Sequence, residues 1–176
     1  MKTCILCSYQ PHIYEYASIL SKKEGYDIKL VATTPNTINW KNYYFPKVKS
    51  YDFFDLLNIY HCKDLKIKKA PKYIIDDVNT KTMLKRNLVE LFPSENLKIK
   101  IINSYFTYWD KIFKEIQPKN LIFEEEPHQL IHYICYLIAK RRNLDIQMFI
   151  RTIDCTNLGL LWVNTYEKNS KILDPK

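Results

Sequence analysis

Three consecutive glutamates and a nearby histidine are the residues best suited to carry out chemistry in this sequence. Glu124, Glu125 and Glu126 follow an apolar stretch directly, and His128 comes two residues later. A carboxylate can orient hydroxyl groups or act as a general base, and a histidine ionises near neutral pH. The alternative is that the glutamates are solvated acids that complement the dipole at a helix start. We predict Glu125, Glu126 and His128 as catalytic residues.

A second histidine occupies a similar place near the amino terminus. His12 follows Pro11 as His128 follows Pro127, and each pair stands between a predicted strand and a predicted helix. The first turn of a helix presents N–H groups and a positive dipole end, so two such turns on one edge favour an anion or a sugar. A capping or surface role is the alternative for both histidines. We predict His12 and the neighbouring Tyr9 as substrate-binding residues.

Three further polar residues follow the last predicted strand, over residues 145–150. Arg151, Thr152 and Asp154 open a segment, 151–162, that we interpret as a functional loop or a short helix. A guanidinium at this edge of a sheet can hold a phosphate or a carboxylate. These three residues complete the predicted substrate-binding set.

Metal and redox chemistry are weakly supported by the spacing of possible ligands. His132 lies one helical turn after His128, but no second cluster supports a His–His–Glu metal site. Cys4 and Cys7 have C-x-x-C spacing inside an apolar run that reads as a strand, where residues three apart point to opposite faces. We predict no metal and no cofactor. The five scattered cysteines favour a reduced, cytoplasmic protein.

The elements that must position these residues repeat a strand–helix–strand pattern. Strands are predicted over residues 3–8, 27–33, 120–123 and 145–150, with helices beginning at Pro11 and Pro127. Near-continuous apolar strands joined by crossover helices indicate a parallel sheet, with the strand-to-helix junctions along one edge. We predict an α/β fold, a Rossmann-like three-layer sandwich with a mainly parallel sheet. It forms one domain over residues 1–166, and 167–176 is a polar tail or linker.

The middle of the chain is predicted to be mostly helical. Residues 34–44 are predicted to be a loop, followed by a short strand near Tyr51 and a helix over 52–60. Another helix is predicted to run to about residue 91, and Ser94 to cap a long helix that Pro118 closes. That helix carries a broad apolar stripe that includes Trp109, and such spacing favours burial over a ligand site.

Composition excludes several classes of function. With two glycines the chain contains neither a G-x-G-x-x-G fingerprint nor a phosphate loop. The net charge of +8 is spread over lysines that alternate with apolar residues, so we predict no specific nucleic-acid binding. An anionic sugar, a nucleotide-sugar or a lipid headgroup is equally compatible with this charge. No apolar stretch is long enough to cross a bilayer, so at most peripheral membrane association is expected.

The stretch from Ile122 to Lys140, with the strand 147–150 and Arg151-Thr152, resembles a segment of bacterial capsule and surface-polysaccharide biosynthesis proteins. Those proteins resemble glycosyltransferases of the two-Rossmann-domain, or GT-B, type. The resemblance implies the acceptor-side half of such an enzyme, with a sugar acceptor or nucleotide-sugar as ligand. It also implies a second Rossmann domain or subunit, so the chain is expected to be truncated or one half of a split enzyme.

Two other functions stay open at this point. The first is a non-catalytic Rossmann-like module that would use the same edge of the sheet for a ligand or a protein partner. The sequence therefore leaves open whether the chain alone is catalytic. A small hydrolase is disfavoured because the sequence contains no G-x-S-x-G elbow.

Overall fold

The structure is a computed structural model. It describes the backbone of residues 2–59, 66–88, 94–154, 157–164 and 169–170. Side chains are described for 2–59, 66–84 and 94–149. Seven strands are present in these residues: β1 (Lys2–Cys7), β2 (Tyr26–Thr33), β3 (Lys49–Asp52), β4 (Asn120–Phe123), β5 (Asp145–Asp154), β6 (Asn157–Asn164) and β7 (Asn169–Ser170).

Seven helices accompany the strands in the described residues: α1 (Pro11–Glu24), α2 (Ile38–Tyr44), α3 (Phe53–Leu57), α4 (Lys72–Ile75), α5 (Val78–Leu88), α6 (Glu95–Ile116) and α7 (Leu130–Arg141). None of the helices in this part of the chain combines the length and the apolar character that a membrane crossing requires.

All seven strands belong to one sheet with the order β3-β2-β1-β4-β5-β6-β7. The first five strands are parallel, and β6 and β7 add to the β5 edge in antiparallel orientation. The parallel order 3-2-1-4-5 is that of the Rossmann fold. The predicted fold class, α/β with a Rossmann-like and mainly parallel sheet, is therefore confirmed.

The sheet has a switch point between β1 and β4. From β1 the chain winds outward through β2 and β3, and it returns to place β4 on the other side of β1. The two strands run parallel in a register that pairs Cys7 with Phe123 at their carboxyl ends. Loops that leave neighbouring strands in opposite directions open a crevice, and α/β folds bind ligands there.

The described chain divides into two compact units. Unit 1 comprises Met1–Phe53, Pro118–Glu126 and Asn143–Lys176, and it contains the sheet with α1 and α2. Unit 2 comprises Phe54–Gln117 and Pro127–Arg142, and it contains the helices α4 to α7.

The core of unit 1 forms where α1 packs on the sheet. Ile13, Tyr14 and Ala17 of α1 are buried together with Leu6 of β1 and Val31 of β2. The helix begins at Pro11, whose missing N–H is harmless in a first turn, as the sequence predicts. It ends at Gly25, which adopts a left-handed conformation with φ of 71°.

The core of unit 2 is centred on α6. Its predicted apolar stripe is confirmed as buried, with Trp109 and Phe113 fully enclosed. The Trp109 indole Nε1–H donates a hydrogen bond to the carbonyl oxygen of Ile131 in α7, at 2.9 Å. The Ser94 hydroxyl accepts from the Leu97 N–H at 3.3 Å and so caps α6, also as predicted.

Three local predictions are wrong. Residues 38–44 of the predicted loop form α2, while Pro35 and Asn36 before it do form a turn. Residues 151–154 and 157–162 are strands and not a loop or helix, because β5 continues to Asp154 and pairs with β6. Helix α7 begins at Leu130 and not at Pro127, since Gln129 adopts an extended conformation as the residue before the first turn.

Candidate functional site

The candidate site lies in unit 1, at the carboxyl ends of β1 and β4. Ser8 is the first residue after β1, and Glu124 is the first residue after β4. Since the two strands are neighbours in the sheet, their ends bring these residues together at the switch point. The sequence predicts that both strand-to-helix junctions lie along one edge of a parallel sheet, and residues after the two strands can share a ligand only if the strands are neighbours. The strand order places β1 next to β4.

Glu124 is held by donors from the loop after β1. The Ser8 hydroxyl donates to Glu124 Oε2 at 2.7 Å, and the backbone N–H of Tyr9 donates to the same oxygen at 3.3 Å. The Gln10 N–H in turn donates to the Ser8 hydroxyl oxygen at 3.1 Å. This chain of hydrogen bonds ties the entry to α1 to the end of β4 and fixes one carboxylate in the crevice.

Two tyrosines beside this carboxylate are held in the protonated state. Burial raises the pKa of Tyr9, and the nearby charges of Glu124 and Glu125 raise it further. Burial also raises the pKa of Tyr14 to about 12, where the hydrogen bond between its hydroxyl and Thr37 opposes the shift and Glu124 adds to it. Both phenols are therefore hydrogen-bond donors at neutral pH, and neither can act as a general base.

The ring of Tyr9 packs against the ring of Phe53. The Tyr9 and Phe53 ring centroids lie 5.3 Å apart with a tilt of 38°. The Tyr14 hydroxyl donates to the carbonyl oxygen of Ala32 at 2.7 Å, which anchors α1 to the end of β2. The predicted substrate-binding residue Tyr9 therefore lies at the site, with both its backbone and its ring engaged.

The other predicted residues of unit 1 lie along the same edge. His12 is exposed in the first turn of α1, as the sequence predicts. Glu125 is half-buried and Glu126 is exposed in the bend after β4. The strand β4 ends at Phe123, and the three glutamates follow it in bends.

The two remaining histidines belong to unit 2. His128 is exposed and precedes α7 by two residues, so its predicted place in a first helical turn is wrong. His132 lies inside α7 and is buried. Burial lowers the pKa of His132 to about 3, with a smaller contribution from His128, so its imidazole is neutral at physiological pH. The catalytic role of His128 stays a prediction.

The predicted residues Arg151, Thr152 and Asp154 lie on the extended part of β5. They pair in register with Leu160, Gly159 and Asn157 of β6. Their side chains lie outside the described part of the chain, so their substrate-binding role stays a prediction.

The chemistry available at the described site is that of a fixed carboxylate. Ser8 is fully buried and donates to Glu124, so it positions the acid and is not placed to act as a nucleophile. Over the side chains described between residues 2 and 149, no group of three His, Cys, Asp or Glu residues could hold a metal ion. Cys4 lies buried in β1, and burial raises its pKa well above the usual value.

The sequence does not predict the contact between Ser8 and Glu124. Its pattern favours Glu125 and Glu126 as the catalytic acids and places Ser8 inside the strand 3–8. The available signal was a small polar residue at the end of an apolar strand, shortly before the helix-starting Pro11. Only the adjacency of β1 and β4, which the sequence does not specify, identifies Glu124 as its partner.

Comparisons with known proteins find a distant structural likeness and no family. No family model and no curated protein matches this sequence. A solved structure with a similar fold is a crystal structure of UDP-N-acetylglucosamine 2-epimerase, with a TM-score of 0.44 and 15% sequence identity. The match covers 88% of this chain and 35% of that chain, so the chain spans about a third of the length of this neighbour.

Proposed function

We propose that the edge of the sheet that carries Tyr9, His12, Glu124 and Glu125, with the buried Ser8 positioning Glu124, binds a sugar or the sugar part of a nucleotide-sugar. The observation that carries the proposal is the Ser8–Glu124 hydrogen bond of 2.7 Å, which fixes a carboxylate at the switch point of a Rossmann-like sheet. This is the position at which α/β folds bind ligands. A sugar offers the hydroxyl donors that carboxylates accept.

The surroundings of Glu124 favour a neutral, hydroxyl-rich group over a phosphate at this point. Glu125 and Glu126 follow directly, so a dianion placed against the carboxylates would be repelled. The protonated Tyr9 and the exposed His12 add donors on the β1 side. The half-buried Tyr9 ring packs against the buried Phe53 ring, which holds the Tyr9 side chain in place at this edge.

The chain would act as the acceptor-side domain of a glycosyltransferase-like enzyme of surface or capsular polysaccharide synthesis. In the transfer, the acceptor oxygen forms a bond to the anomeric carbon as the bond from that carbon to the nucleotide phosphate breaks. The acceptor proton passes to a carboxylate, for which Glu125 and Glu126 are the candidates. A second Rossmann domain or subunit would hold the nucleotide-sugar donor.

Ligand titration tests the binding step without requiring turnover. The wild-type chain is titrated with a panel of oligosaccharides and nucleotide-sugars by saturation-transfer NMR and calorimetry. Glu124→Gln keeps the size of the side chain but removes its charge, and we expect it to weaken sugar binding about tenfold, since a charged hydrogen bond contributes roughly 1.5–3 kcal/mol. Glu125→Gln is expected to weaken binding to a smaller extent.

Glu24→Gln is the matched control, because Glu24 is exposed at the far end of α1. It should bind every ligand as the wild type does. Equal binding by the wild type and a folded Glu124→Gln variant would refute the role of the site. Failure of the wild type to bind any ligand of the panel would favour the non-catalytic partner module.

A further inference from the structure

The net positive charge of the protein is concentrated in unit 2. Fifteen of the 27 basic residues and eight of the 19 acidic residues fall in this unit, which leaves a formal charge of +7 out of the total of +8. Unit 1, with the proposed sugar site, is close to neutral by the same count. A net charge of +7 in unit 2 indicates an anionic ligand for this unit in particular.

Three of these cations converge on one carboxylate. Lys68 Nζ lies 2.7 Å from Asp110 Oδ2, and Lys114 Nζ lies 2.8 Å from the same oxygen. An Arg142 guanidinium nitrogen lies 3.4 Å from Asp110 Oδ1. We call these four residues the Asp110 cluster. Its formal charge is +2.

Each cation of the cluster is carried by a segment that is itself anchored. The backbone N–H of Lys68 donates to the Thr107 hydroxyl at 2.8 Å, which fixes the segment before α4 against α6. Lys114 lies one turn after Asp110 in α6. The Arg142 guanidinium carbon lies 5.1 Å from the centre of the Phe113 ring. The cationic groups are therefore positioned before any ligand arrives, which lowers the entropic cost of binding.

The cluster is buried at its acidic centre and open at its basic rim. The Asp110 side chain is 11% exposed, whereas those of Lys68, Lys114 and Arg142 are 48%, 61% and 37% exposed. Burial raises the pKa of Asp110, but the hydrogen bonds from Lys114 and Lys68 outweigh it and leave the pKa lowered. In the described part of the chain, no second carboxylate lies within ion-pair distance of these three cations.

We propose that the Asp110 cluster is a binding site for a phosphate group. Lys68, Lys114 and Arg142 would contact the phosphate oxygens, and Asp110 would position these three side chains. The charge of +2 matches that of a phosphate monoester, which carries about −1.5 to −2 at neutral pH. A tetrahedral phosphate offers several oxygens to cations from three segments, and a guanidinium binds such oxygens in pairs. This site is independent of the proposed sugar site in unit 1.

The site is tested with two sources of phosphate. Inorganic phosphate and pyrophosphate are titrated by calorimetry, and vesicles of phosphatidylcholine with and without phosphatidic acid are tested by co-sedimentation. We expect Lys114→Gln and Arg142→Gln each to weaken binding of pyrophosphate about fivefold to tenfold, since one charged hydrogen bond is lost. Lys114→Arg keeps the charge and should therefore bind pyrophosphate with most of the wild-type affinity.

Lys81→Gln is the control, because Lys81 is an exposed lysine of the same unit in α5. It should leave phosphate binding unchanged. If pyrophosphate displaces the protein from the vesicles, free phosphate and the lipid headgroup compete for the same cluster. The proposal is overturned if the folded wild type binds neither phosphate source, or if Lys81→Gln weakens binding as much as Lys114→Gln does, since that would show a diffuse charge effect.

Discussion

Ser8 and Glu124 are separated by 116 positions in the sequence and are joined by a hydrogen bond of 2.7 Å. The bond connects the ends of the two strands that flank the switch point. It also connects two segments of unit 1 that are distant in the sequence, since Ser8 leads into α1 and Glu124 follows β4 directly. One contact therefore contributes both to the integrity of the sheet edge and to the position of the proposed sugar-binding carboxylate.

Ser8→Ala is expected to lower the free energy of unfolding by about 1–3 kcal/mol, because a partly buried carboxylate loses a donor. Urea denaturation followed by circular dichroism measures this change. Ser18→Ala is the control, since Ser18 is buried on α1 away from Glu124. A Ser8→Ala variant as stable as the wild type would show that the contact does not hold the strand ends together.

Gly25→Ala should destabilise the protein by about 1–2 kcal/mol through backbone strain alone. Gly25 has φ of +71°, and a methyl group added there would meet nothing within 4 Å. Gly25→Asn should be less harmful, because asparagine tolerates the left-handed region. Thermal denaturation of both variants separates the two outcomes, and equal losses for alanine and asparagine would contradict a purely conformational cause.

Trp109→Ala is expected to lower the stability by about 3–5 kcal/mol, because the ring is fully buried. Trp109→Phe keeps much of the packing but removes the N–H that donates to Ile131, so a loss of about 1–3 kcal/mol is expected. Trp40→Phe changes an exposed ring and should shift stability by less than about 0.5 kcal/mol. A Trp109→Ala variant with the same stability as the wild type would contradict the burial of the apolar stripe of α6.

The sequence predicts the parts of the fold that depend on local signals. Pro11 begins α1, Ser94 caps α6, and the stripe around Trp109 has helical spacing, so each of these features is read from neighbouring residues. The apolar runs of β1 and β4 likewise identify buried strands. These signals act within a few residues. The start of α1, the cap of α6, its buried stripe and the two buried strands are all confirmed.

The errors arise where partners distant in the sequence decide the structure. Residues 151–154 stay extended because β6 pairs with them, and no local pattern specified that pairing. The choice of Glu124 over Glu125 depends on Ser8, which the strand order brings close. The start of α7 at Leu130 depends on the extended conformation of Gln129, which a Pro-based rule does not foresee.

His132 should make the stability of the protein decrease as the pH falls from neutral. Its pKa is lowered from 6.5 to about 3 by burial, so below pH 6.5 the unfolded chain takes up a proton that the folded chain does not. The contribution of His132 to the free energy of unfolding is fully present above pH 6.5. Below that pH the free energy of unfolding falls by about 1.4 kcal/mol per pH unit, which amounts to a loss of roughly 2 kcal/mol at pH 5. The acidic range in which Asp110 takes up a proton lies below this window, since its pKa is lowered from 3.8.

Urea denaturation at pH 7, 6 and 5 measures the slope. His132→Gln should flatten it, whereas His12→Gln, which changes an exposed side chain, should leave it in place. The same slope in both variants would show that another group takes up the proton.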